Sequence, residues 1–195
     1  MNYINTWKEV MLRPSDFYRS MPKVGGYADP LIFAAISFII YGLLTALLAG
    51  LFGRGMYMGG MYDGMYGGMY NGAGEFSLFT ILTTVIVLPV AGIISLFIEA
   101  AILYVIYKVL GGKGSYEGTM RFVSYATAVL VVSWIPLVGW IAGLYGIYLY
   151  IVGGMHVHNV SMGKSAIAIL LPTILVFLLM ALVMAGLFAF SRFFF

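Results

Sequence analysis

The chain has 195 residues, of which 63% are hydrophobic and 9% charged, with a net charge of +3. Soluble domains average about 45–50% apolar and about 25% charged, so lipid is the solvent this composition requires. The absence of cysteine excludes disulfides, thiolate metal sites and cysteine nucleophiles, and basic residues flanking apolar runs are topology signals, not a nucleic-acid footprint.

Residues 1–29 form an amphipathic head without the continuous apolar core of a cleavable signal peptide. Ile4, Trp7, Val10 and Met11 recur at helical spacing, with Asn5, Lys8 and Glu9 on other faces. Pro14 interrupts the pattern, and Ser15 is the expected cap of a second short helix carrying Phe17, Tyr18 and Met21. Aromatic residues beside Lys and Arg mark a segment lying in the membrane interface. The plainer alternative is a short helix packed on the cytoplasmic ends of the spans.

The first span is expected over residues 30–51, and Pro30 suits a first helical turn. Its length matches the roughly 20 residues that cross a bilayer. A Met/Tyr/Gly-rich loop, 52–76, follows; in it Met56, Met61, Met65 and Met69 are each followed by tyrosine. Its glycines argue against a stable helix. The second span, 77–108, reaches roughly 45 Å in its apolar part against a hydrocarbon core near 30 Å. It must tilt, kink or protrude, and Pro89 is the expected kink. The third span, 118–134, carries Arg121 near its start. Pro136 and Gly139 mark a tight turn into the fourth, 137–153. His156, His158 and Asn159 fall in the next loop, Ser161 is the expected cap of the fifth span, 164–190, and Arg192 with three phenylalanines closes the chain as an interfacial anchor.

Five spans put the termini on opposite sides. With the N-terminus inside, the inner segments hold Lys8, Arg13, Arg19, Lys23, Lys108, Lys113, Arg121 and Lys164, and the outer ones Arg54 and Arg192. This bias predicts a multi-pass cell-membrane protein, an all-α bundle with its N-terminus cytoplasmic and its C-terminus outside.

Glu99, set between Leu96, Phe97, Ile98 and Ala100, Ala101, Ile102, is the sharpest candidate, because a carboxylate in a span faces protein or water and often marks function. The bland reading, favoured here, is a structural tie to Arg121, Tyr125, His156 or Lys164; proton or ion coupling and a ligand contact are the sharper ones. His156 and His158 make an HxH pair, too few ligands for a metal site, so surface histidines are the simpler reading. Met56, Met58, Met61, Met65 and Met69 are thioethers of the kind that select Cu(I), against a simpler reading as a low-complexity segment in the headgroups. Gly139, Gly143 and Gly146 allow close helix packing, within the monomer or between copies. There is no P-loop, HExxH or GxSxG motif, and an enzyme is not expected.

Four stretches resemble the Yip domain family (Ypt-interacting proteins). They are WKEVMLRPSDFYRSMP (7–22), YADPLIFAAISFIIYG (27–42), GGKGSYEGTMRFVSYATAVLVVSWIPLVGWI (111–141) and GMHVHNVSMGKSAIAILLP (154–172). They resemble the lead-in, first span, glycine-led third span and last-span start of prokaryotic five-span members. The resemblance implies a helical bundle, residues 30–195, with a cytosolic N-terminus; eukaryotic members are linked to vesicle traffic and Rab-type GTPases. The resulting expectation is a non-enzymatic, membrane-organising or protein-interaction module with no cofactor, whose partners are the lipid bilayer and either further copies of itself or other membrane proteins. Alternatives are a small transporter or channel using Glu99, and a Cu(I)-binding protein using the outer loop.

Overall fold

The computed structural model describes residues 2–52 and 82–194, and every regular element among them is helical. The Met-rich loop expected over 52–76, including Met56, Met58, Met61, Met65 and Met69, lies outside the described residues apart from Phe52.

The head is two helices, α1 (Tyr3–Leu12) and α2 (Pro14–Ser20). Asn2 caps α1 by accepting the Asn5 N–H at 3.2 Å. Pro14 opens α2, where its missing N–H costs nothing. Ser15 therefore does not cap this helix; it lies inside the first turn and reaches another element. The apolar side of the head is turned onto the bundle: Val10, Pro14, Tyr18 and Met21 are buried, while Lys8, Glu9, Arg13, Asp16 and Arg19 are exposed. Ile4 and Leu12 are left exposed beside these charges.

α3 (Ala28–Phe52) covers the first expected span. The second begins, among the described residues, with a π-helical turn, Thr83–Val87, and continues as α4 (Leu88–Val109). Pro89 sits one residue into α4, so the backbone bond it cannot make falls where the wider turn ends. α3 and α4 approach closely at Gly92, where a Cβ would meet the Phe38 ring.

The third expected span is not one continuous helix. α5 (Tyr116–Ala126) gives way to a 3-10 turn (Thr127–Val129) and then to α6 (Leu130–Ser133). Every residue from Gly118 to Leu130 is buried, among them Thr119, Arg121, Ser124 and Thr127. Ser115 caps α5 by accepting the Gly118 N–H at 3.1 Å. The serine and threonine hydroxyls turn back onto carbonyls of their own chain, as with Ser124 on Met120 at 2.7 Å and Thr127 on Ser124 at 2.6 Å. These back-bonds satisfy the hydroxyls and accompany the change of helical type.

Leu137, exposed and at φ 66°, makes the turn into α7 (Val138–His158). This helix runs past the expected end of its span, so His156 and His158 are helical and not in a loop. Asn159, left-handed at φ 58°, ends it, a conformation asparagine tolerates better than most residues. Gly139, Gly143 and Gly146 are all buried on α7. α8 (Met162–Phe194) then leaves in the opposite direction. Ala168 and Ile169 are buried, but from Ile174 to Gly186 every residue is exposed. The stretch 174–186 of α8 thus turns exposed side chains outward among the described residues.

Among the described residues, four helical stretches can cross a membrane by length and composition: 28–48, 85–109, 138–158 and 162–186. The broken segment 116–133 is not among them. Because the other elements enclose it, its side chains need not be apolar enough to face lipid.

Candidate functional site

One end of the bundle gathers the start of α3, the end of α4, the start of α5, the end of α7 and the start of α8. The glycine loop 111–114 joins two of them. Gly112 N–H bonds the Tyr107 carbonyl at 2.7 Å, and Lys113 N–H bonds the His158 carbonyl at 2.9 Å. Gly111 adopts φ 86°, and a Cβ on Gly114 would strike His158 Nδ1 and the Val157 carbonyl. Only glycine lets this loop lie so close over the end of α7.

Beneath the loop, the His158 ring is fully buried and stacks on Tyr107 with centroids 4.1 Å apart and planes 6° from parallel. Thr119 Oγ1 lies 2.8 Å from His158 Nε2 and donates its single hydrogen to the Ser115 carbonyl at 3.0 Å. His158 Nε2 must therefore be the donor between them, and Nδ1 keeps a lone pair with no partner. The same bookkeeping orders a second string. Ser165 Oγ donates to the Ile151 carbonyl at 2.6 Å, so the Tyr107 hydroxyl donates to Ser165 at 2.7 Å. Lys164 Nζ reaches the Leu110 carbonyl at 3.0 Å, satisfying the frayed end of α4.

A second cluster holds the linker between head and bundle. Glu117 and Arg121, one turn apart on α5, grip one residue from both sides. The Gly26 N–H donates to Glu117 Oε1 at 2.6 Å, and Arg121 Nη1 donates to the Gly26 carbonyl at 2.6 Å. Gly26 itself sits at φ 85°, open to glycine at no steric cost. Arg121 is 5% exposed and its Nε has no hydrogen-bond partner. Replacing Arg121 by leucine should cost about 1.5–3 kcal/mol, the range for a hydrogen bond to a charged group. Thermal unfolding in detergent would register the loss, together with faster proteolysis at the linker; an unchanged linker would show that the clasp holds nothing.

The head itself is fastened by side chains on carbonyls. Trp7 Nε1 donates to Ala128 at 2.8 Å, in the 3-10 turn, and the Tyr145 hydroxyl to Met11 at 2.6 Å, at the end of α1. Ser15 Oγ lies 3.1 Å from His156 Nε2, and Tyr3 donates to Ser37 at 2.9 Å. Burial raises the Tyr3 phenol above its ordinary value, and the Ser37 bond draws it partly back. Tyr125 packs edge-on against Phe17 and tilted against Phe33, a contact between the head, α3 and α5.

The expected inner cluster is thus three separate groups. His158 and Lys164 lie near the glycine loop, whereas His156 faces the head, so the HxH pair shares no site; this is what a two-residue step round a helix requires. Arg121 holds the linker. Glu99 joins none of these: the side chain its carboxyl neighbours is Tyr150 on α7, and not Arg121, Tyr125, His156 or Lys164. Among the described residues no three His, Asp or Glu side chains come together to hold a metal. Tyr107, Thr119, Ser165, Glu117 and Tyr150 complete these groups without having been singled out in the sequence. The only signal for them was the density of glycine at 111–114 and 153–154, which marks places where something must pass close.

Comparison with known proteins supplies one match. A family model described as the Yip1 domain aligns with residues 8–185. Neither the curated proteins nor the solved structures yielded a match.

Proposed function

Because the chain belongs to the Yip1 domain family, we propose that it is a five-pass, non-enzymatic protein of the cell membrane that serves as an interaction module, its N-terminal head on the cytoplasmic side. The observation that carries the five-pass reading is the complete enclosure of residues 118–130. A segment shielded from lipid by protein crosses without an apolar surface, and α5, the 3-10 turn and α6 together span about 27 Å at a helical rise. The interaction reading rests on α8, in which every residue from Ile174 to Gly186 is exposed among the described residues. A second copy of the chain is the partner this bare helix suits, since its exposed face is apolar throughout.

The absence of native cysteine makes the test clean. Single cysteines at Lys8, Lys113 and Asn159 should resist an impermeant maleimide added to whole cells. Those at Leu137 and after Phe195 should react. Reaction of both chain ends from one side would overturn five passes in favour of four. A cysteine at Leu178 should form a disulfide-linked dimer in native membranes; a chain that stays monomeric there ends the self-association reading and leaves the topology untouched.

A further inference from the structure

Glu99 is the one charged residue of α4 that stands apart from the basic end. It lies eight residues before Tyr107, about 12 Å farther along the axis. Tyr150 lies eight residues before His158, and Tyr107 and His158 stack on each other, so the two helices bring carboxyl and phenol to one height. Glu99 sits at the edge of the packed face. Its helical neighbours Leu96 and Leu103 are buried, whereas Ile98 and Ile102 are exposed. Glu99 and Tyr150 are both half-buried. On the third side, α8 is buried at Ala168 and Ile169, half-buried at Pro172 and Thr173, and exposed from Ile174 to Gly186.

Among the described residues, these titratable groups on the surrounding elements are committed elsewhere. Tyr107 bonds Ser165, Tyr116 bonds the Phe97 carbonyl, and His158 holds Thr119. Arg121 holds Gly26, Lys164 binds the Leu110 carbonyl, and Lys108 lies over the Tyr104 ring. Among the described residues no base neutralises Glu99, and a bare carboxylate at this depth is too costly to leave uncompensated.

We propose that Glu99 and Tyr150 form a lateral, membrane-facing site that takes one positive charge: a proton, or the ammonium group of an amphiphilic amine dissolved in the bilayer. Tyr150 orients the carboxyl, and the way in is the exposed flank of α4 that carries Ile98 and Ile102. The inference needs only that α4 and α7 lie in the membrane, and so stands or falls separately from the five-pass and dimer readings.

Dicyclohexylcarbodiimide, which dissolves in lipid, tests it on the full chain in phospholipid vesicles. The carboxyl proton passes to one carbodiimide nitrogen as the carboxyl oxygen adds to the central carbon. The adduct rearranges to a stable N-acylurea, so reaction reports a protonated carboxyl. Peptide mass spectrometry should find the adduct at Glu99, decreasing as pH rises and absent in Glu99→Gln. Tyr150→Phe should change the pH at which labelling falls. Dodecylamine in the vesicles at least halves the labelling if the charge is an ammonium; undiminished labelling assigns it to the proton. No adduct at Glu99 in the folded protein, with labelling after unfolding in SDS, would overturn the site. So would faster labelling by a water-soluble carbodiimide, which would mean an aqueous channel. If Glu99→Gln fails to fold, the adduct on the unaltered chain still decides.

Discussion

Alanine at Gly154 should destabilise the bundle by about 3 kcal/mol, near the upper end of the usual cost of overpacking. The added methyl would overlap the Tyr107 hydroxyl and stand 3.0 Å from Ser165 Oγ. Neither atom is a free end. The hydroxyl donates to Ser165, Ser165 donates to the Ile151 carbonyl, and the Tyr107 ring is stacked on His158. The methyl can be accommodated only by parting α4 from α7 or by expelling the phenol. Tyr107→Phe removes the overlapping oxygen, at a loss of about 1 kcal/mol for the hydrogen bond. The pair Gly154→Ala with Tyr107→Phe should then be less damaged than the sum of the two changes. A double-mutant cycle by thermal unfolding in detergent measures this coupling, and strict additivity would show that the two residues do not meet.

His158→Ala should cost about 3–5 kcal/mol, the range for removing a large buried side chain, because nothing else fills the space between Tyr107, Phe122 and the glycine loop. His158→Phe should stay within about 1.5 kcal/mol of the natural chain, as shape-conserving exchanges do. The contrast follows from hydrogen-bond accounting. Thr119 already spends its hydrogen on the Ser115 carbonyl, so losing the imidazole strands no donor. Removing the partnerless Nδ1 also relieves a desolvation cost, and these gains offset the lost Nε2 bond. Unfolding temperatures of the two variants decide the matter. A phenylalanine variant as unstable as the alanine one would show that the Thr119 bond, not the stacked ring, holds this end together.

The sequence made the membrane helices legible through their uninterrupted apolar runs, and the head through its 3.6-residue period. It placed the end of the fourth span at Gly153, whereas α7 runs on to His158. Gly153 and Gly154 lie within the helix and admit the rings of Phe122 and Tyr107. Ser15 has the composition of a cap, but Pro14 had already set the helix start, and the hydroxyl went to His156. The third segment matched the expected residues closely, yet its break at Thr127 has no mark in hydropathy. The feature that permits the break is burial on every side, a property of the neighbours and not of the segment. Glu99 was legible as an anomaly. Its partner was not, since a tyrosine fifty-one residues away carries no signal among fifteen tyrosines.

The outer half of α8 has a further physical meaning. α8 has 33 residues, about 50 Å of helix, against roughly 30 Å of hydrocarbon. A helix held by its neighbours takes its inclination from them. Over the exposed stretch 174–186 among the described residues, the inclination answers, until a partner covers it, to the match between apolar length and lipid. Anchored through Ser165 and exposed from Ile174 to Gly186, α8 is a helix whose tilt would follow the thickness of the bilayer around it.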